Sequence, residues 1–374
     1  MKIALVRQRY TAFGGAERAM ADIMRSLEIQ NAEVTVIARR WPTSAKVATL
    51  IVDPLYVGGL WRDWGFARRV CRLLGQQSFD LVQAHERVPC CDVFYCSDGV
   101  HREWLAQRRR IQSAWGRAGV AINLFHHYML AAERRLFTSG TLKAVICMSR
   151  MVKDEIRQHF GVPEDRLRVI YDGIDEQAFH PRLSEQFRAS VRAAYLIPPD
   201  APLFLFVGSG FERKGVRPLL RAMAQLPPSA HALIVGKDKR INQFVELAAP
   251  LGGRVHFTGP QADVKPFYGA ADALVFPTIY EPFGKVVLEA MACGLPVISS
   301  RKAGASELIV DGVNGYVCDA LDIAALAHAM TLLLDRDRRA PMGRAARSVA
   351  ENMTLSGMGA QLADFYRDVM TRNG

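Results

Sequence analysis

Long apolar runs are missing from this 374-residue sequence. The longest are strand-sized, such as Pro202–Val207, far short of the roughly 20 apolar residues that a membrane span needs. The N-terminal stretch Met1–Val6 is too short for the core of a secretion signal and runs straight into Arg7 and Arg9. It reads as the first β-strand of a cytoplasmic protein. Cysteine motifs are missing too. Cys71, Cys90, Cys91, Cys96, Cys147, Cys293 and Cys318 are odd in number and lie mostly in apolar strands, so reduced, buried thiols are expected. Cys90, Cys91 and Cys96 cluster without CxxC spacing or a second ligand pair, which argues against zinc. No low-complexity segment or short repeat is present. The aromatics do not fall in the pattern of a base-stacking module, so nucleic acid is not an expected partner.

What is present is basic charge, unevenly spread. The net charge is +11, and residues 1–150 hold 22 Lys and Arg against 12 Asp and Glu, an excess of +10. The densest part runs from His101 to Arg150. There Arg108, Arg109, Arg110, Arg117, Arg134 and Arg135 interleave with Trp104, Trp115, Phe125 and Tyr128. That composition suits an anionic partner such as a membrane surface or a phosphorylated glycan.

The chain is longer than one core usually serves, so about two domains are expected. Strand-like and helix-like segments alternate throughout, which indicates α/β architecture with parallel sheets. In the first half, strands are expected at Lys2–Val6, Glu33–Ala38, Leu81–Ala84, Val93–Cys96 and Lys143–Met148, with a helix from Ala16 to Leu27. Residues 179–200 read as a polar connector ending in Pro198-Pro199-Asp200. A second series follows, with strands at Leu203–Val207, Ala232–Val235, Val255–Thr258, Ala273–Phe276 and Pro296–Ser299. Helices are expected at Val216–Gln225, Ile241–Ala249, Val264–Ala271 and Gly284–Ala292, the last ended by Gly294. The tail from Leu355 to Met370 is a lone amphipathic helix. Ligands of open parallel sheets bind beyond the carboxyl ends of the strands, so two such halves can present a donor and an acceptor across a cleft.

Four segments carry chemistry. The first runs from Thr278 to Val297 between two strands. Glu281 lies on the strand-to-helix loop, Phe283-Gly284-Lys285 opens the helix, and Glu289 sits in its second turn. Unpaired N–H groups at a helix start favour a diphosphate, and Gly284 removes a side chain that would block approach. Glu281 can accept from sugar hydroxyls and Glu289 from ribose hydroxyls. The second is Val207–Val216, where Gly208-Ser209-Gly210 loosens a turn and Arg213-Lys214 lie where a diphosphate would rest. Fixed cations there stabilise the charge that builds on a departing diphosphate. The third is Phe13-Gly14-Gly15-Ala16-Glu17-Arg18 after the first strand. The fourth is Asp92–His101, where Asp98 follows a strand and either contacts substrate hydroxyls or makes an Asx turn before Gly99. His101 and His85-Glu86 are further candidates of the same kind.

The Glu281–Glu289 string resembles the E-x7-E segment of the GT-B glycosyltransferases of family four. The Arg213-Lys214-Gly215 version looks most like the lipopolysaccharide-core glucosyltransferases of that family. Many members place Arg directly after the first glycine, where this chain has Ser209. The Phe13–Arg18 loop is similar to the family's first-domain glycine loop, with Ala19 where the core branch has Asp. That branch also has an Asp at the position of Asp98.

The resemblance implies GT-B, with two Rossmann-like domains facing a central cleft. The acceptor domain would span 1–178, the nucleotide-sugar domain 179–354, and a helix at 355–374 would cross back to the first domain. It implies a retaining hexosyltransferase moving glucose from UDP-glucose to the heptose region of a lipopolysaccharide core. Asp98, Arg213, Lys214 and Glu281 would be catalytic. Gly15, Ser209, Phe283, Gly284, Lys285 and Glu289 would bind the donor, and Arg18 and His101 the acceptor. No Asp-x-Asp motif lies in the expected donor region, and the family is typically metal-independent, so no metal or cofactor is expected. The basic first half fits an anionic glycolipid acceptor at the cytoplasmic face of the inner membrane, where each basic residue contributes about 1 kcal/mol. Alternatives are another lipid-linked or exopolysaccharide acceptor, a nucleotide-sugar epimerase, or a non-catalytic binder using the basic helices.

Overall fold

The computed structural model describes residues 2–9, 23–24, 27, 32–41 and 47–371. The chain forms two compact units, one of residues up to Asp172 together with those from Ser356 onward, the other Gly173–Leu355.

The first unit is built on a sheet of seven strands: β1 (Lys2–Val6), β2 (Glu33–Ala38), β3 (Ala48–Ile51), β4 (Leu81–Ala84), β5 (Val93–Cys96), β6 (Ala144–Cys147) and β7 (Leu167–Val169). Their order is β3-β2-β1-β4-β5-β6-β7, and every pairing is parallel. The second unit has six: β8 (Leu203–Val207), β9 (His231–Val235), β10 (Val255–Gly259), β11 (Ala273–Phe276), β12 (Val297–Ser300) and β13 (Gly315–Cys318). Their order is β10-β9-β8-β11-β12-β13, again all parallel. Both are doubly wound, Rossmann-like sheets. In each, strand order reverses once, between β1 and β4 and between β8 and β11.

The inner strands β4, β5, β6, β8, β11 and β12 are buried along their whole length. Strands covered on both faces read as unbroken apolar runs, which is why they stand out in the sequence. The edge strand β3 has no buried residue and the short β7 only one, and neither is visible as an apolar run. The strand β13 and the helices Gly58–Leu74, Arg150–Phe160, Ile323–Leu332 and Arg336–Glu351 are likewise additions to the expected set.

Residues 179–200 are not a connector. They hold the helix Leu183–Ala194, which is part of the second unit. Its polar surface hides a stripe of Leu183, Phe187 and Val191. Arg192 is 2% exposed and donates to Ala270 O at 3.0 Å, Ala201 O at 2.8 Å and Asp272 Oδ2 at 2.8 Å. Those bonds satisfy a charge that would otherwise be costly to bury. Gly269 lets this helix approach, since a Cβ there would lie 2.3 Å from Leu183 O.

The expectation that every cysteine is reduced fails at one pair. Cys71, on helix Gly58–Leu74, is disulfide-bonded to Cys90 in the segment after β4, while Cys91, Cys96, Cys147, Cys293 and Cys318 are free and buried. A separation of 19 residues carries no motif; the pair meets because that helix packs back beside the strand that follows it.

Residues Gly173 and Ile174 belong with the second unit, six residues before the expected boundary. The Ile174 amide donates to Met353 O at 2.8 Å, and the Leu355 amide to Ile174 O at 3.2 Å. The helix Leu355–Thr371 groups with the first unit from Ser356. Its face of Met358, Leu362, Phe365, Tyr366 and Val369 is buried at helical spacing, and the Tyr366 hydroxyl donates to Gln83 Oε1 at 2.6 Å.

Candidate functional site

In the second unit the loops after β8, β9, β11 and β12 converge beyond the carboxyl ends of the strands. This is the switch point at which doubly wound sheets bind ligands. The β8 loop is braced on the β9 loop. The Gly210 amide donates to Lys237 O at 3.0 Å, the Lys237 amide to Ser209 Oγ at 3.2 Å, and the Phe211 amide to Asp238 Oδ2 at 2.7 Å. Ser209 is therefore an exposed brace between two loops. Gly215 ends the short helix Phe211–Lys214 with φ +86°, and a Cβ there would lie 1.8 Å from Pro277 O. Only glycine permits both that conformation and that approach.

This packing sets Arg213 and Lys214 beside the β11 loop. The Ile279 amide and the Thr278 hydroxyl donate to Arg213 O at 2.8 and 3.2 Å. The Arg213 guanidinium donates through Nη1 to Tyr280 O at 3.2 Å and to Glu281 Oε2 at 3.0 Å. The Lys214 ammonium donates to the same Glu281 Oε2. The Glu281 backbone is fixed on both sides, donating to Lys302 O at 2.8 Å and accepting from the Gly304 amide at 2.9 Å. One carboxylate between two cations leaves the cluster at +1, and among the described residues both cations bind Glu281 through Oε2.

Burial shapes the charges. It works to raise the Glu281 carboxyl, but Lys214 and Arg213 outweigh it and hold the group below its usual range. For Lys214, burial is the dominant effect; with Arg213 nearby it pushes the ammonium down to about 8, against the pull of Glu281.

Helix Lys285–Ala292 starts at Gly284, whose φ is +98°; a Cβ there would press on the Phe276 ring at 3.2 Å. Lys285 is partly buried in the first turn, and Phe283 is buried with its carbonyl accepting from the Ala305 amide at 2.7 Å. Glu289 lies in the second turn of that helix, as expected. It is 3% exposed and accepts from the buried Tyr268 hydroxyl at 2.7 Å. Tyr268 and Asp238 were not singled out in the sequence, and neither belongs to a motif that would reveal it.

The other expected site residues belong to the first unit. Gly15 and Arg18 lie outside the described residues. Asp98 is exposed on the turn two residues past β5. His101 begins the helix His101–Arg109 and is half-buried. Its Nε2 lies 3.1 Å from His126 Nδ1, and His126 Nε2 lies 3.2 Å from Arg108 Nη1. Burial, with Arg87, His126 and Arg108, depresses His101 to about 3, so it is a neutral imidazole. The helix is capped from a distance by Glu133, which accepts from the His101 and Arg102 amides at 2.5 and 3.2 Å and pairs with Arg87 at 2.9 Å.

The loops at the reversal between β1 and β4 gather a second group of side chains. Gln8, Asp63, Phe66, Glu86, Arg87 and Tyr128 line a pocket open to solvent. Among the described residues, no group of His, Cys, Asp or Glu has metal-binding geometry.

Comparison with known proteins gives consistent matches. Residues 13–178 match the family described as Glycosyltransferase Family 4, and residues 187–349 match Glycosyl transferases group 1. The chain is 28% identical to the lipopolysaccharide glucosyltransferase WaaG of Escherichia coli K12 over 325 residues, 85% of each protein. A crystal structure of WaaG, a glycosyltransferase involved in lipopolysaccharide biosynthesis, superposes with TM-score 0.83 and 25% identity, covering 97% of this chain and 99% of that one. A D-inositol 3-phosphate glycosyltransferase of Salinispora tropica is 33% identical, with 96% of this chain and 82% of that protein aligned. Anabaena Alr3699/HepE in complex with UDP-glucose has TM-score 0.77 and 22% identity, covering 98% of this chain and 100% of that one. Some matches are partial: this chain aligns with 45% of an uncharacterized glycosyltransferase of Methanocaldococcus jannaschii.

Proposed function

We propose, for a chain that belongs to glycosyltransferase family 4 and folds as a GT-B protein, retaining transfer of a hexose from a nucleotide sugar to the heptose region of a lipopolysaccharide core. UDP-glucose is the proposed donor. The observation that carries this reading is the Arg213–Glu281–Lys214 cluster at the β8–β11 reversal. A net positive, partly dehydrated group on rigid loops suits a diphosphate whose charge grows as it leaves. The chain's similarity to WaaG and the fold of the UDP-glucose-bound HepE support the donor and acceptor classes.

In the proposed reaction the bond from the sugar's C1 to the diphosphate oxygen breaks, and the acceptor oxygen bonds to C1 on the same face. The acceptor proton passes to the departing diphosphate, so no side-chain nucleophile is used. Arg213 and Lys214 hold the diphosphate and do the work a metal ion would otherwise do. Glu281 orients both cations through Oε2 and offers Oε1 to a sugar hydroxyl. Gly284 and the start of the helix it caps face the phosphates, with Lys285 alongside. In the first unit, Asp98 contacts substrate hydroxyls.

The acceptor is proposed to be a lipid-linked, anionic glycan at the cytoplasmic membrane face. In support, Val57, Trp61, Trp64, Trp115, Ile122 and Leu124 of the basic first unit are exposed apolar side chains. Apolar side chains among arginines suit an anionic interface. Among the described residues no helix is long and apolar enough to cross a membrane.

The test is a donor and acceptor panel with purified protein, read by UDP release and product mass. Glucose transfer from UDP-glucose to a heptose-bearing core is expected. Product only with another donor sinks the donor assignment. Conversion of free UDP-sugar without acceptor favours an epimerase.

A further inference from the structure

Helices His101–Arg109 and Leu124–Phe137 pack together in the first unit. Three side chains join them in a row. His101 Nε2 lies 3.1 Å from His126 Nδ1, and His126 Nε2 lies 3.2 Å from Arg108 Nη1. Arg108 is half-buried, whereas its neighbours Arg109 and Arg110 are exposed. The Phe125 ring stands edge-on to His101, 6.5 Å between centroids, and braces it.

The place of every proton in this row follows from its last member. A guanidinium has only donors, so Arg108 donates and His126 Nε2 accepts. Both rings are neutral and hold one proton each: burial, Arg108 and His127 lower His126, and His101 is depressed to about 3. His126 therefore carries its proton on Nδ1 and donates it to His101 Nε2. His101 in turn keeps its own proton on Nδ1. Any other placement sets two donors or two lone pairs face to face, which leaves half-buried polar atoms unsatisfied.

His101 comes five residues after β5 and three after Asp98, on the carboxyl edge of the sheet. Ligands of parallel sheets lie beyond that edge. Among the described residues, none accepts from His101 Nδ1. An unconstrained neutral imidazole can carry its proton on either nitrogen, but this one is a donor of fixed sense. A fixed donor suits an oxygen that must accept, such as that of a diphosphate or of a hydroxyl whose own proton is committed elsewhere.

We infer that Arg108 and His126 are positioning residues for sugar transfer, which lock His101 with its proton on Nδ1 so that it donates to a substrate oxygen. The inference rests on the transferase reading. It also gives Arg108 a task different from that of the exposed arginines around it, and it removes His101 from the candidates for general base.

The test uses full-length protein with isotope-labelled histidine and a soluble, delipidated core acceptor, so that membrane binding plays no part. Proton–nitrogen correlation NMR reads which ring nitrogen is protonated. In the wild type both His101 and His126 are expected as Nδ1–H. Arg108→Leu frees His126 to move its proton to Nε2, so the pure Nδ1–H pattern should be lost at both rings. With it kcat/KM should fall about tenfold, the worth of one hydrogen bond to a half-buried group. His126→Phe keeps a ring beside Phe125 and should release His101 in the same way. Arg108→Lys retains a donor-only cation and should restore the Nδ1–H pattern, with kcat/KM within about threefold of the wild type. Arg109→Leu removes a neighbouring charge outside the row and should leave the NMR pattern unchanged. A wild-type His101 protonated on Nε2 overturns the inference. So does a His101 that stays Nδ1–H in both Arg108→Leu and His126→Phe, or a displaced proton with kcat/KM unchanged. The two variants break the row from different helices, so misfolding of one leaves the other to decide. A wild type that shows the locked form but transfers nothing keeps the lock and sinks the transferase reading.

Discussion

At the β8–β11 reversal two cations share one carboxylate oxygen, and the cluster keeps a positive charge. At the β1–β4 reversal the described carboxylates and guanidinium groups pair one to one, Asp63 with Arg62, Glu133 with Arg87 and Glu86 with Arg7. The strand order around the two points is the same. Topology thus decides where a ligand can lie, and the side chains on the converging loops decide which chemistry is held there. The net-positive point is the one proposed to hold the diphosphate.

The largest expected break in this contrast is Glu281→Ala. It leaves Arg213 and Lys214 as unshielded like charges and removes the group that aims them, so kcat/KM should fall by about 10²–10³. An unchanged rate would mean the cluster is only structural. Next is Cys71→Ser, which removes a clasp from the first unit alone, since among the described residues the second unit has no disulfide. Closing a loop of this length is worth about 3 kcal/mol in the chain-entropy account. Calorimetry should show the first unit melting earlier.

A smaller effect follows from Lys214, whose ammonium is depressed to about 8. Below that pH the lysine is charged and the cluster carries +1. As pH rises through about 8 the charge is lost, so UDP affinity in the free enzyme should weaken, by titration calorimetry. In Lys214→Arg the decline should vanish. For stability the sign is opposite, because the unfolded lysine holds its proton longer: between about 8 and the ordinary lysine value, rising pH favours the folded state through this group. The smallest expected effect is from salt. UDP binding should weaken several-fold between low and high ionic strength, because the Arg213–Glu281–Lys214 cluster would hold it by net charge. Binding that does not change with salt would mean that net charge does not carry it.

Most of the second unit was legible in its residues. Strands β8 and β11 fall at their expected limits, and β9, β10 and β12 within a residue; β8, β11 and β12 are buried throughout, and strands covered on both faces must be apolar. Helix Leu183–Ala194 was hidden because its polar residues include Arg192, whose burial depends on carbonyls of Ala270 and of the 198–201 loop. Glu289 was legible as a motif position, but the Tyr268 hydroxyl facing it was not.

By itself the sequence determined the α/β alternation, the glycines that let loops close, and which charged residues ride on them. Each is a local property, set by side-chain period or backbone freedom within a few residues. Tertiary structure alone decided the pairings. Lys214 meets Glu281 across 67 residues, and Gln8 meets Asp63 across 55. Cys71 closes on Cys90 only because a helix folds back beside its strand. Such contacts come from strand order, which brings distant loops to one sheet edge, and a local pattern carries no record of its neighbours there.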